Sequence, residues 1–384
     1  MGKKSVVYAT SICWNTTYPV GSHGYAREFL RQGWKVAFLS TPITPWHRLL
    51  SKDQESYKNR KIIHNQGGEW KEDGVLWEYV PWTLLPSKKW PHVWDMFGLG
   101  DLTRAIGRQK AFHHPDVVWI DTAEYGKLFE RFPNALKIFR VVDKMSFFRG
   151  ITDSFMKYQM KTARKADLVI ATSFILEEEL KASGLTNVLR VPNGVEINRF
   201  QMTAPPPVPD EYKTIEKPIV VYAGAIEEWF NLPLLVDAAK RLPHVSFVII
   251  GGVGIDTASA KGIPNLIFLG KKNPDLITRY MYHADVGMIP FQTSDFVHAI
   301  NPIKYYEYTA CGLPVVATSS YELERLGEPV FLANDGVAFA AQIQQALRLP
   351  KQDLSALKNR VFNVSWSKRW AVVHDVLKER GKIL

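Results

Sequence analysis

Cysteine is almost absent: Cys13 and Cys311 are the only two in 384 residues. Two thiols so far apart exclude a disulfide framework and argue against a clustered Cys–His metal site. Each is read as a packed small apolar residue rather than a nucleophile. Long apolar runs are missing as well, since no segment reaches the ~18 uninterrupted apolar residues of a membrane span. The start, MGKKSVVYATSICWNTT, has a basic front, but its apolar part is too short for a secretory signal and reads as a first strand. Val6 stands where an N-myristoylation signal has Ser or Thr. A cytoplasmic protein is expected. There is no P-loop, no full GxGxxG fingerprint, no RNA-recognition motif and no zinc-finger spacing, so a nucleic-acid partner is not expected. Nor is there an Asp-x-Asp pair for a catalytic metal, and none is expected.

Acidic residues are scarce in one half only. Residues 1–200 hold 29 Lys and Arg against 20 Asp and Glu, whereas residues 201–384 hold 19 against 18. Nearly all of the net charge of +10 therefore lies in the first half. Such a half suits an anionic partner, or is simply a solvated basic surface.

What is present is alternation. SVVYAT, WKVAFLS, VVWID (117–121), ALKIFRVVD (135–143), DLVIATS (167–173) and VLRVP (188–192) are apolar runs separated by helical stretches, one of them about Ser22 to Gln32. The second half repeats the scheme with IVVYAG (219–224), SFVIIGG (246–252), NLIFLG (265–270), DVGMIPF (285–291) and LPVVATS (313–319). Apolar strands joined by amphipathic helices imply parallel sheets covered on both faces. Two such sets imply an α/β protein of two Rossmann-like domains. The prolines of TAPPPVPDEY (203–212) suit a linker. The expected division is a first domain over 1–200, a linker over 201–215, a second domain over 216–363, and a final helix over 364–384 that packs back on the first domain. One stretch breaks the alternation. Residues 75–98 carry Trp77, Trp82, Trp90 and Trp94 beside Lys88 and Lys89. Three readings stand for it: a membrane interface, a sugar platform, or an aromatic insert packed in the core.

Ligands of open parallel sheets bind at the carboxyl ends of the strands. Asn301 and Pro302 open a helix there, with Lys304 and Glu307 three apart on one face. A helix N-terminus with a lysine suits a diphosphate, and a carboxylate one turn on suits a pair of ribose hydroxyls. An exposed i,i+3 pair worth a few tenths of a kcal/mol is the plain alternative. Asp143 and Asp121 end two first-half strands, at the crevice position of such sheets. Asp143 would otherwise cap the next helix. His23 touches acceptor or phosphate, or is a surface or capping residue.

YEYTACGLPVVAT, VPNGVEINRF (191–200), HADVGMIPF (283–291) and VVYAGAI (220–226) occur in the order found in GT-B glycosyltransferases, which the chain resembles over residues 165–375. The resemblance implies two Rossmann-like domains with sheets facing a cleft. It implies Glu307 on the donor ribose, Lys304 on the diphosphate, Gly270 and Lys271 at the base edge, Phe291 beside the donor, and Gly224 admitting the phosphates. Ala299 stands where the large retaining family has the first of two glutamates, and AIEEWFN lacks that family's cations. Together with NPIKYYEY, this is closer to the xanthan-type glucuronosyltransferases and the teichuronic-acid glycosyltransferases. Those relatives imply a UDP-sugar donor, a lipid-linked or cell-envelope acceptor, and peripheral attachment to the cytoplasmic membrane face. They also imply an inverting transfer with Asp143 as base and Asp121 as second choice, without metal or other cofactor. A retaining transferase and a non-catalytic binding protein of the same fold are the alternatives.

Overall fold

A computed structural model describes residues 4–16, 20–46, 54–89, 94–95, 99–148, 150–200, 204–326, 330–349 and 354–379. The chain divides into two compact units, residues 1–191 with 372–384, and residues 192–371.

The first unit is built on eight strands: β1 (Ser5–Ala9), β2 (Lys35–Leu39), β3 (Glu69–Lys71), β4 (Leu76–Tyr79), β5 (Val117–Ile120), β6 (Leu136–Val141), β7 (Leu168–Ala171) and β8 (Val188–Arg190). Their order is β3-β4-β2-β1-β5-β6-β7-β8, and only the β3–β4 pair is antiparallel. β1, β4, β5 and β7 are buried at every position, as central parallel strands with helices on both faces must be. Helix α1 (Gly21–Arg31) follows β1, and helix α2 (Gln54–Asn65) lies between β2 and β3.

The aromatic stretch 75–98 is mostly core where it is described. Trp77 lies in β4, fully buried, and stacks on Tyr79 at 5.3 Å between ring centroids. Trp94 is buried against Tyr125. Trp82 is exposed, and Trp90 lies outside the described residues.

The second unit holds β9 (Ile219–Ala223), β10 (Ser246–Ile250), β11 (Leu266–Gly270), β12 (Val286–Ile289), β13 (Val315–Ala317) and β14 (Val330–Leu332), all parallel, in the order β11-β10-β9-β12-β13-β14. Helix α3 (Leu232–Arg241) follows β9 and is capped by the Asn231 side chain. Helix α4 (Ile303–Ala310) precedes β13 and ends at Gly312, whose φ of +74° is the left-handed turn that glycine adopts without strain. Helix α5 (Trp366–Glu379) closes the described chain. Its first residues belong to the second unit, and those from Val372 on belong to the first.

Candidate active site

In the second unit, glycines open the strand ends. Gly224 follows β9, and a methyl group there would lie 2.8 Å from Lys304 Cε and 2.9 Å from the Tyr222 hydroxyl. Gly251 follows β10 and lies so close to the Gly224 carbonyl oxygen that a Cβ would sit at 1.8 Å. Gly252 meets the Lys271 stem in the same way, at 2.7 Å from Cε. The backbone past β9 and β10 is thus closely packed, with two lysine stems lying against the glycines. The expected donor residues Gly224, Gly270, Lys271, Lys304 and Glu307 all lie at this end of the sheet or at the start of α4.

The Lys304 Nζ lies 3.0 Å from Glu307 Oε2, and both side chains are part-buried. The pair is therefore an i,i+3 contact, set at the glycine-lined strand ends rather than on an outer helix face. Phe291 is placed differently from a ring that would face a ligand. It is buried against Tyr222, its backbone bridges to Phe230, and its N–H donates to Thr318 Oγ1 at 3.1 Å. What it offers a donor is main chain, not a free aromatic face.

Two asparagines fix the start of α4. The Asn301 Oδ1 accepts the Asn193 N–H at 2.8 Å, and the Asn193 Nδ2 donates to the Asn301 carbonyl at 2.8 Å. The Asn301 Nδ2 donates to the Tyr306 hydroxyl and to the buried Glu322 carboxylate. Lower on the same helix, the Tyr308 hydroxyl accepts the Ala223 N–H at 3.0 Å, so α4 is tied to the end of β9. Asn193, Tyr308 and Glu322 were not singled out from the sequence. The signal for Asn193 was there, in an Asn-Gly and an Asn-Pro ahead of separate elements, but nothing in one sequence says that they meet.

In the first unit the two candidate aspartates have opposite surroundings. Asp121 follows β5 and its carboxylate is saturated. Oδ2 accepts from the Tyr8 hydroxyl at 2.9 Å, Ser22 Oγ at 2.5 Å and Arg140 Nη1 at 3.2 Å, while Oδ1 accepts from Trp119 Nε1 at 2.7 Å. The Arg140 guanidinium lies beneath Gly21, where a Cβ would come within 2.1 Å of Nη2. Asp143 lies two residues past β6 and is part-buried, and no hydrogen bond reaches its carboxylate among the described residues. Burial pushes that carboxyl up, while the charges of Arg140 and Lys88 pull it down. It caps no helix: Thr152 caps Asp153–Ala163, and the short turn Met145–Phe147 has no side-chain cap. His23 is a buried capping residue. Its Nδ1 accepts the Val20 N–H at 3.3 Å and its Nε2 faces the carbonyls of Cys13 and Trp14. Burial lowers it to about 4, so the ring is neutral at pH 7.

Both units have counterparts among known proteins. Residues 9–172 match the family described as Glucuronosyltransferase GumK, N-terminal domain, and residues 217–348 match Glycosyl transferases group 1. The chain resembles GT-B glycosyltransferases in both units. The putative teichuronic acid biosynthesis glycosyltransferase TuaH of Bacillus subtilis is 25% identical over 178 residues, and the match spans 44% of this chain and 45% of TuaH. Among solved structures, Anabaena HepE in complex with UDP and glucose superposes with a TM-score of 0.63 at 15% identity, over 98% of this chain and all of that one. The trehalose 6-phosphate synthase of Burkholderia multivorans superposes with a TM-score of 0.63 at 13% identity, over 99% of each chain. The fold is GT-B.

Proposed function

We propose that this protein is a glycosyltransferase that moves a sugar from a UDP-sugar to a saccharide acceptor of the cell envelope. The observation that carries the reading is the Lys304–Glu307 pair beside glycine-opened strand ends at the start of α4. In the pair each side chain satisfies the other. A nucleoside diphosphate has better partners for both: its phosphates take the Lys304 ammonium and the N–H groups that open α4, and its ribose diol takes the Glu307 carboxylate. The glycines at 224 and 252 let the Lys304 and Lys271 stems lie against the strand ends, which brings both ammonium groups to the place proposed for the phosphates. The UDP named with HepE and the teichuronic acid named with TuaH are in keeping with this donor and acceptor class.

The transfer we propose is inverting. The acceptor hydroxyl oxygen attacks the anomeric carbon, the bond from that carbon to the diphosphate breaks, and UDP leaves with the electron pair. The hydroxyl proton goes to Asp143. Asp143 is preferred to Asp121 because its carboxylate has open lone pairs, whereas four donors fill those of Asp121. Lys304 and the helix N-terminus supply the positive potential for the departing diphosphate, so chelation by EDTA is expected to leave the rate unchanged. Calorimetry with UDP tests the donor site: heat is expected from the wild type and not from Lys304→Ala. The anomeric configuration of the product tests the stereochemistry, and retention would overturn the base assignment.

We also propose peripheral attachment to an anionic bilayer through the first unit. Trp46, Trp82 and Leu84 are 49%, 41% and 55% exposed, and Ile43 pairs with Trp82 across the chain. Lys88 and Lys89 follow in sequence. Aromatic rings among head groups with lysines at the phosphates suit such a surface.

A further inference from the structure

The first unit contains a cavity of about 720 Å³ on the β3–β4 side of the sheet. It lies among the loop after β1, helix α2 and the β3–β4 edge, and none of the residues discussed above as donor ligands line it. Its size is within the range of small-ligand pockets, roughly 300–1,000 Å³.

Its chemistry is selective. Asn15, Asn59 and Gln66 line it with amide groups, and Glu55 adds a carboxylate. None of these four side chains has a hydrogen-bonding partner among the described residues. Arg60 is anchored through Nη2 to the Thr41 carbonyl, while its buried Nε has no partner. Lys71 offers nothing further, since Glu69 at 3.1 Å and Glu78 at 2.7 Å already hold it. Glu55, Glu69 and Glu78 stand against Arg60 and Lys71, so the lining carries a net negative charge. Ile62, exposed on α2, and the buried Ile63 supply apolar contact. Amide and carboxylate groups that can each bond two hydroxyls, with an aliphatic patch and a net negative charge, fit a neutral pyranose and reject an anion.

We propose that this cavity is a subsite for a neutral sugar unit of the acceptor, remote from the hydroxyl that is glycosylated. From β4 to β6, which leads to Asp143, the sheet order runs through β2, β1 and β5. The cavity also reaches the loop after β1, two spacings from β6, so its walls lie about 10–19 Å from that strand. An acceptor that reaches from here to Asp143 is therefore an oligosaccharide of at least two units. Binding energy from such a remote unit serves to orient the reacting end. The identity of the ligand as acceptor rests on the sugar-transfer reading; the chemistry of the cavity does not.

The test uses cellobiose and N,N′-diacetylchitobiose as probes in saturation-transfer NMR with the full chain, beside calorimetry with UDP. The wild type is expected to show saturation of at least one disaccharide. The double variant Asn59→Ala/Gln66→Ala, at exposed positions, is expected to lose at least ~10-fold in affinity. Ser56→Trp, which fills the cavity, is expected to do the same. UDP heat should be unchanged in both variants. Equal saturation in wild type and variants, or no saturation with either disaccharide, overturns the subsite. Loss of UDP heat in the wild type alone would overturn the donor reading and leave the cavity assignment standing.

Discussion

Asp143 and Asp121 end neighbouring strands, yet only Asp143 has lone pairs open to a proton. Asp143→Asn is expected to lower kcat by about 10²–10⁴ while changing the donor KM little, as removal of a general base does. Steady-state rates against UDP-sugar concentration check it, and a near-wild-type kcat removes Asp143 as base. Because burial raises the Asp143 carboxyl, the acidic limb of kcat/KM should fall above the ordinary aspartate range, with activity lost as pH drops and the base becomes protonated. His23 makes a separate prediction about stability. It is neutral and buried with a pKa of about 4, against 6.5 for the free side chain. Between those values the unfolded chain takes up a proton that the native chain excludes. Stability should therefore be constant above pH 6.5 and fall from there toward pH 4, by about 3 kcal/mol. Urea unfolding across that window measures the slope, and a His23→Gln variant should show a shallower one.

Most elements were legible because burial imposes a plain pattern on them. β1, β5, β7, β9 and β10 are unbroken apolar runs, and the sequence reads them as such. β3, β4 and β14 are less visible. β4 carries the buried Glu78, which the Lys71 ammonium and the Trp14 N–H satisfy, so its apolar signature is interrupted. Helix α2 is mostly polar, with Tyr57, Ile62 and Ile63 its only large apolar residues, and gives little periodic signal. The site divides the same way. Lys304 and Glu307 were legible as a spaced pair at a helix start, but the saturation of Asp121 depends on Tyr8, Ser22 and Arg140, which only the fold brings together. The start of α1 illustrates how tight that packing is. Gly21→Ala would press a methyl group against the Arg140 guanidinium, so we expect a loss of about 1–3 kcal/mol, read as a lowered Tm.

At the scale of the whole chain, charge and hydrophobic contact are distributed unequally. The basic first half and its exposed Trp46 and Trp82 lead us to expect that the protein sediments with anionic vesicles, less so as salt rises, and not with zwitterionic ones. The last helix belongs to both compact units, with Trp366 and Trp370 buried on the second unit's portion and Val373 and Leu377 buried on the first's. Ending the chain at Ala371 removes those two core side chains, and a lower unfolding temperature is expected.

The two hydrogen bonds between Asn193 and Asn301 have a consequence for heredity as well as for shape. Each side chain bonds the other residue's main chain, so replacing either leaves a buried backbone group of its mate unpaired, and replacing both leaves two unpaired, with losses that add. Descendants of this gene should therefore keep each asparagine in its own right.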